Sequence, residues 1–146
     1  MAYLLDTNIL LRSYRASDPE HSLVLAALQE LRRQNETFFT TAQSMVELAC
    51  VLTKPTGPGN GMGMNAADAS AVLQRMERLF PVLPDTPEVY RKWMQLFSNP
   101  GALGRQVYDM RIVAAMQAHG LSHLLTLDVK DFTRYQSIVV VHPRDL

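Results

Sequence analysis

Two patterns of apolar and polar residues alternate along the chain: short apolar runs, and longer segments with a helical period. The apolar runs contain no charged residue, as is typical of buried strands, and lie at residues 1–5, 37–41, 80–83, 124–127 and 138–141. The segments with helical spacing lie at residues 9–14, from 17 or 18 onward, and at 42–52, 66–79, 86–97, 106–119 and 129–134. This alternation predicts an α/β fold with a central, mainly parallel sheet that helices cover on both faces.

Residues that favour helix ends mark several of these boundaries. Ser-Asp-Pro at residues 17–19 and Asn65 each precede a helical segment, where their side chains can cap free backbone amides. Asn-Pro-Gly at residues 99–101 and Gly120 each follow one, where they can end it. The predicted helices therefore have start and stop signals that agree with their apolar period.

Residues 54–65 interrupt the pattern. This segment contains four glycines and two prolines, which favours an exposed or mobile loop over a helix or strand. Met62 and Met64 lie within it and leave two interpretations open. They could pack as ordinary apolar side chains, or they could contact a partner, since flexible methionine-bearing surfaces adapt to different partners.

Length and charge narrow the class of protein. With 146 residues, of which 47% are hydrophobic, the chain can bury one sizeable core, and we expect a single domain over residues 1–146. Fourteen basic and fourteen acidic side chains cancel. The composition therefore lacks the basic excess that is typical of a nucleic-acid binder, and any such binding must be local.

Cysteine content and the N-terminus indicate the compartment. The single cysteine, Cys50, allows no internal disulfide and no thiolate zinc cage, and it is expected to pack as a small buried hydrophobe. The N-terminus lacks the basic and apolar regions of a signal peptide, and no apolar run approaches the roughly 20 residues that span a bilayer. We therefore expect a soluble, cytoplasmic protein with no membrane association.

Four carboxylates lie where strands end or along the helices that follow: Asp6, Glu47, Asp109 and Asp128. Each has an ordinary explanation by itself, as a helix cap, a solvated helix face or a capped turn. In open parallel sheets, however, ligands bind beyond the carboxyl ends of the strands. Oxygen ligands suit hard divalent cations, so the set as a whole suggests a metal site.

Four motifs in this order resemble the PIN domain, and more narrowly the VapC-type ribonuclease toxins of prokaryotic toxin–antitoxin pairs. They are LLDTNIL at residues 4–10, SMVELA at 44–49, DMRIVAA at 109–115 and LTLDVKDF at 125–132. Each motif is a weak signal alone, but their order and spacing over almost the whole chain are fairly specific. Tyr108 departs from many relatives, which have histidine immediately before the third acid.

The resemblance implies a three-layer α/β/α PIN-like fold in which Asp6, Glu47, Asp109 and Asp128 converge to bind one or two Mg²⁺ or Mn²⁺ ions. It also implies endonucleolytic hydrolysis of RNA, a cognate antitoxin as partner, and a homodimer. Such ions polarise a phosphodiester and activate water, so no serine, cysteine or histidine nucleophile is needed.

The resemblance also suggests supporting roles for neighbouring polar residues. Thr7, Asn8 and Thr126 could steady the acids, and Asp131 competes with Asp128 as the ligand after the fourth strand, with Asp128 favoured. Basic residues that flank the acidic segments could hold RNA phosphates: Arg12, Arg15, Arg105, Arg111 and Lys130. Arg111 could instead pair with an acid.

Several alternatives remain open at this stage. An RNA-processing nuclease or a structure-specific DNA nuclease of the same fold would use the same acids, and a non-catalytic nucleic-acid-binding module could keep the fold. A flavodoxin-like or other nucleotide-binding α/β protein fits less well, because no glycine-rich loop follows the first strand. Receiver domains fit poorly because Glu47 lies on a helix.

Overall fold

The computed structural model describes residues 1–98 and 102–146. The strands are β1 (Ala2–Leu5), β2 (Thr37–Thr41), β3 (Val82–Leu83), β4 (His123–Leu125) and β5 (Val139–Val141). The helices are α1 (Thr7–Tyr14), α2 (His21–Arg33), α3 (Ala42–Thr53), α4 (Ala66–Leu79), α5 (Pro87–Phe97), α6 (Gln106–Ala118) and α7 (Val129–Phe132), followed by a short 3-10 helix (Pro143–Asp145).

The five strands form one sheet in the order β3-β2-β1-β4-β5, and every neighbouring pair is parallel. The first strand is therefore central. The chain first builds outward from it through β2 and β3, and then crosses to its other side for β4 and β5. This change of direction is a topological switch point, where α/β folds leave a crevice beyond the carboxyl ends of the strands.

Alternating side chains of β1 enter two separate cores. Tyr3 and Leu5 pack with apolar residues of α1, α2, α3 and α4. Leu4 points to the opposite face, where it packs with residues of α6 and α7 that include Val113 and Phe132. A strand that is buried on both faces must be apolar at every position, which explains the uninterrupted run at the N-terminus. The predicted three-layer α/β/α fold is thus confirmed.

Two strands pass directly into helices, because polar side chains cap the first turns. The Asp6 carboxylate accepts a hydrogen bond from the Thr7 amide at 2.7 Å, so α1 begins at Thr7, before the predicted residue 9. Thr41 caps α3 in the same way, accepting from the Ser44 amide at 3.0 Å. These tight junctions keep the residues after β1 and β2 close to the edge of the sheet.

Other boundaries differ in part from the predictions. Helix α2 begins at His21 because the Asp18 side chain accepts from the Glu20 amide, at 2.9 Å, in a local turn. The caps at Asn65 and Gly120 are confirmed: Asn65 accepts from the Asp68 amide, and Gly120 has a φ of +68° just beyond α6.

Some predicted elements shorten at their ends. Strands β3 and β5 begin later than predicted, β4 is shifted toward the N-terminus by one to two residues, and α7 ends at Phe132. The predicted stop signal at residues 99–101 lies outside the described residues.

The glycine-rich loop at residues 54–65 contains no helix or strand, as predicted, yet its second half is anchored. The Met62 and Met64 amides donate to carbonyl groups near the end of α3, and both side chains pack against the larger core. Gly61 permits this approach, because a Cβ there would collide with the carbonyl oxygens of Lys54 and Pro55. The core-packing interpretation of the two methionines therefore fits the structure.

Two surface features complete the fold. Cys50 is exposed, so the expectation that it is a buried hydrophobe was wrong; it lies on the solvent side of α3, away from the apolar stripe that includes Leu48 and Leu52. Across residues 1–98 and 102–146, none of the helices has both the length and the apolar character that crossing a bilayer requires.

Candidate active site

At the carboxyl edge of the sheet, side chains that follow β1 lie beside side chains that follow β4. Asp6 follows β1, and its amide donates to the carbonyl of Leu125, the last residue of the adjacent strand β4. Thr126 and Asp128 follow β4 directly. The two central strands thus end side by side, and the polar residues after them meet in the crevice.

Asn8 contacts polar groups on both sides of this crevice. Its Nδ2 lies 3.0 Å from Asp6 Oδ2, 3.0 Å from Asp128 Oδ2 and 3.0 Å from Thr126 Oγ1, so two N–H groups are shared among three acceptors. Its Oδ1 accepts from the Leu127 amide at 3.2 Å. A single amide side chain on α1 therefore fixes the spacing of two carboxylates that are 122 positions apart in sequence.

Thr126 also links Asp6 to Asp128 by hydrogen bonds. Its buried hydroxyl donates to Asp6 Oδ2 at 2.7 Å and accepts from the Asp128 amide at 3.0 Å. Together, Thr126 and Asn8 supply neutral donors to the Asp6 carboxylate, and Asn8 supplies one to the Asp128 carboxylate. Asn8 and Thr126 lie where the sequence-based hypothesis expected supporting residues.

Glu47 projects from α3 into the same crevice. Its Oε2 accepts from Thr7 Oγ1 at 2.7 Å, and its Oε1 accepts from Gln43 Nε2 at 2.8 Å. Gln43 was not among the sequence-predicted site residues. The signal was its position four residues before Glu47 on the same helix, where side chains are neighbours.

Asp109 lies in the first turn of α6 and has a different environment. Within the described part of the chain, its carboxylate accepts no hydrogen bond. Its pKa is raised to about 6, first by burial and then by the negative charges of Asp131 and Glu47, and Arg105 offsets part of this effect. Asp131 acts on it more strongly than Asp128 does.

Asp6 experiences the same mutual repulsion. Its pKa is raised to about 6, chiefly by burial; hydrogen bonds from Thr126 and Thr7 offset part of this effect, and the negative charges of Glu47 and Asp128 add to it. Asp6, Glu47, Asp109 and Asp128 therefore form one electrostatically coupled group. Asp131 belongs to it as well, through its action on Asp109.

The chemistry of this group fits a hard divalent cation. All the ionisable donors are carboxylates, and their repulsion is what a bound cation would relieve. Over residues 1–98 and 102–146, no three His, Cys, Asp or Glu side chains are already poised to hold a metal ion. The donor set therefore fits such a cation in the type and charge of its groups.

Two of the predicted RNA-contacting residues are engaged elsewhere. The Arg12 guanidinium lies 3.4 Å from Asp18 and 3.8 Å from Glu20. Arg15 donates to the carbonyl of Asn60 in the glycine-rich loop. Both arginines therefore stabilise the segments that surround α1.

The other three basic residues divide into two kinds. Arg111 pairs with Asp85 at 2.8 Å, which is the acid-pairing alternative that the sequence left open. Arg105 and Lys130 are exposed. Arg105 acts electrostatically on Asp109, so its charge reaches the carboxylate group.

Comparison with known proteins agrees with this architecture. The PIN domain family matches residues 3–137. Ribonuclease VapC24 of Mycobacterium tuberculosis is 27% identical over 132 residues, which covers 90% of this chain and 89% of that protein.

Solved structures share the fold at lower identity. VapBC-1 from nontypeable Haemophilus influenzae superposes with a TM-score of 0.70 at 17% identity and covers 99% of both chains. VapC20 of Mycobacterium tuberculosis, a toxin that cleaves the sarcin-ricin loop, has a TM-score of 0.58 at 15% identity and covers 84% of this chain and 86% of that one. With a family match that spans nearly its whole length, and with the expected acids gathered at one sheet edge, this chain belongs to the PIN domain family.

Proposed function

We propose that the protein is a metal-dependent endoribonuclease and the toxin of a VapBC-type toxin–antitoxin pair. The observation that carries the proposal is the coupled carboxylate group, in which burial and like charges raise the pKa of Asp6 and of Asp109 to about 6. Structural ion-pair networks also perturb acids, but here the perturbed acids share a crevice at a topological switch point. The similarity to a named ribonuclease supports the choice of reaction.

The proposed ligands are the four acids Asp6, Glu47, Asp109 and Asp128, and the cofactor is Mg²⁺ or Mn²⁺, as one or two ions. When bound, such an ion polarises the phosphodiester and lowers the pKa of a bound water. The protein's own contribution is to hold the carboxylates in place before the ion arrives. Asn8, Thr7 and Thr126 do this with neutral donors, so they add no positive charge that would compete with the cation.

The placement of Asp131 extends the ligand hypothesis. Asp128 is held beside Asp6 through Asn8, whereas Asp131 acts chiefly on Asp109. We therefore assign Asp128 to the Asp6 side of the site and Asp131 to the Asp109 side. If two ions bind, Asp131 is the acid best placed to serve the second.

RNA binding is assigned to the exposed cations beside the acids. Arg105 and Lys130 flank Asp109 and Asp131 in sequence, and both are exposed. Because Arg12 and Arg111 are already paired with acids outside the site, we give them structural roles. With zero net charge on the whole chain, affinity for RNA then depends on a few local phosphate contacts.

Two protein partners belong to the proposal. A cognate antitoxin is expected because the Haemophilus influenzae neighbour is a VapBC complex. A second copy of the chain is expected on α5, where Tyr90, Met94 and Phe97 are exposed and the Trp93 ring stacks between those of Tyr90 and Phe97. Exposed apolar patches of this kind mark interaction surfaces.

Cleavage of total cellular RNA by purified, antitoxin-free protein tests the function. We expect cutting with Mg²⁺ or Mn²⁺, none with EDTA, and loss of activity in Asp6→Asn. Glu77→Gln is the matched control, because Glu77 is an exposed acid on α4 outside the carboxylate group. A single-stranded DNA and a duplex DNA are assayed in parallel. Cutting confined to DNA would contradict the ribonuclease assignment, and binding of RNA without cutting would favour a non-catalytic module.

A further inference from the structure

Gln43 links Glu47 to a chain of polar contacts behind the site. Its Nε2 donates to Glu47 Oε1 at 2.8 Å and to the Tyr108 carbonyl at 3.1 Å, and its Oε1 faces Arg111 Nη1 at 3.3 Å. Arg111 in turn pairs with Asp85, just before α5, at 2.8 Å. Both ends of the Gln43 amide are therefore in use, and the contacts join α3, α6 and the segment before α5.

The partners of this amide fix which way it faces. A guanidinium can only donate hydrogen bonds, so Arg111 requires the oxygen of Gln43. The nitrogen is then left for Glu47, whose ionised carboxylate can only accept. Reversing the amide would set donor against donor on one side and acceptor against acceptor on the other. Asp85 holds Arg111 in place and so keeps the orientation unique.

The amide also keeps a cation away from Glu47. Arg111 and Glu47 contact opposite ends of the same short side chain. Without Gln43 between them, the guanidinium and the carboxylate could pair directly, and Glu47 would turn from the acid group toward α6. A neutral spacer thus maintains the negative charge that faces the crevice.

We propose that Gln43 is a positioning residue that aims the Glu47 carboxylate at the carboxylate group, with its own orientation set by Arg111 and Asp85. The inference rests on the proposed function only in giving Glu47 a role at the metal. It concerns no group that contacts the reacting phosphate. Its consequence is that metal affinity and turnover depend on Gln43, whereas RNA affinity does not.

The test compares Gln43→Leu with Gln34→Leu. Gln34, just beyond the end of α2, makes a similar contact: it donates to the Glu30 carboxylate four residues earlier at 2.7 Å, and neither residue belongs to the carboxylate group. Mn²⁺ affinity is measured by calorimetry and kcat and KM by RNA cleavage. Loss of such an outer partner typically costs about 10-fold to 100-fold in metal affinity or activity. We expect that loss in Mn²⁺ affinity and kcat for Gln43→Leu, an unchanged KM, and no change for Gln34→Leu.

Arg111→Met provides a second variant that leaves Gln43 intact. It frees the amide to turn, so we expect a smaller loss of Mn²⁺ affinity, about threefold to tenfold, as for one ordinary hydrogen bond. In the Gln43→Leu background the same substitution should not weaken Mn²⁺ binding further, because the two residues act through one contact.

The outcomes separate this inference from the proposed function. Wild-type Mn²⁺ affinity in folded Gln43→Leu overturns the inference, as does a wild-type protein that binds no Mn²⁺. Weaker Mn²⁺ binding by Gln43→Leu in a protein that cuts no RNA supports the positioning role and contradicts the ribonuclease assignment alone. If Gln43→Leu fails to fold, Arg111→Met decides by the same Mn²⁺ measurement.

Discussion

Replacing Asp109 by asparagine should make the metal-free protein more stable. The carboxylate is partly buried and, over the described residues, accepts no hydrogen bond, so the substitution removes a charge without removing a donor's partner. That charge is repelled by the charges of Asp131 and Glu47, and the charge of Arg105 offsets part of the repulsion. The side chain is therefore unfavourable for folding whenever it is ionised without a cation nearby.

The magnitude follows from the raised pKa of Asp109. A change from 3.8 to about 6 corresponds to at most about 3 kcal/mol at pH 8. Because the side chain is partly exposed, solvent screening reduces this to about 1–2 kcal/mol. The folded state holds the proton more tightly than the unfolded state. The penalty is thus absent below pH 4, grows as the pH rises toward 6, and is complete above that.

Urea unfolding in EDTA measures the effect. At pH 8, Asp109→Asn should exceed the wild type in free energy of unfolding by about 1–2 kcal/mol, and the difference should shrink as the pH falls from 6 to 4. Saturating Mn²⁺ should reverse the order, since the wild type gains binding free energy and the variant has lost a ligand. Glu77→Gln, an exposed acid outside the group, should change stability by less than about 0.5 kcal/mol at either pH.

One result would refute this reasoning. If Asp109→Asn is less stable than the wild type in EDTA at pH 8, the ionised carboxylate makes a net favourable contact, and mutual repulsion does not describe the site. If the order is as expected in EDTA but Mn²⁺ does not reverse it, the acids repel one another without serving as ligands.

Two further predictions concern RNA binding and the anchored loop. Arg105→Ala and Lys130→Ala should each weaken RNA binding and reduce the magnitude of the slope of log affinity against log salt by about 0.7. The control Arg33→Ala should leave the affinity and the slope unchanged. Equal effects of all three substitutions would rule out a local phosphate site. Gly61→Ala should lower the free energy of unfolding by about 2 kcal/mol or more, because the added Cβ would collide with backbone atoms. Gly59→Ala should be tolerated, because its Cβ would meet the flexible side chain of Lys54. Denaturant titration measures both effects.

Much of the fold was predictable because the apolar sequence of the central strand indicates that the strand is buried on both faces. The run that ends in Leu4 and Leu5 has no charged position, as a strand buried on both faces requires. Helix starts were less predictable from apolar spacing alone. Asp6 was recognised as a possible cap, yet α1 begins earlier than its apolar spacing suggested because Asp6 does cap it. Capping and the site therefore use the same carboxylate.

The acids could be grouped from sequence, but their contacts could not. Asn8 reaches Thr126 and Asp128 only because β1 and β4 are neighbours in the sheet, and strand order is not written in local sequence. The partner of Arg111 posed the same problem, since Asp85 lies 26 residues away. Side chains that bridge distant elements thus emerge only when the fold brings their partners together.

The glycine-rich loop shows what composition leaves undetermined. Its composition predicts freedom, and residues 54–65 do lack a helix or strand. Glycine nevertheless has two effects: it increases the conformational freedom of an unpacked segment, and it lets backbone segments approach each other closely where the chain is packed. Gly61 does the second, which lets Met62 and Met64 reach the core. Composition alone cannot distinguish these uses.

We expect RNA cleavage to depend on a divalent cation held by the carboxylate group. The most direct test is to titrate Mn²⁺ into wild-type protein and Asp6→Asn, and to record Mn²⁺ binding and RNA cleavage in the same samples. We expect the two wild-type curves to rise together, and both to be lost or shifted at least tenfold in Asp6→Asn. Cleavage that persists in EDTA, or that Asp6→Asn retains in full, would contradict the account.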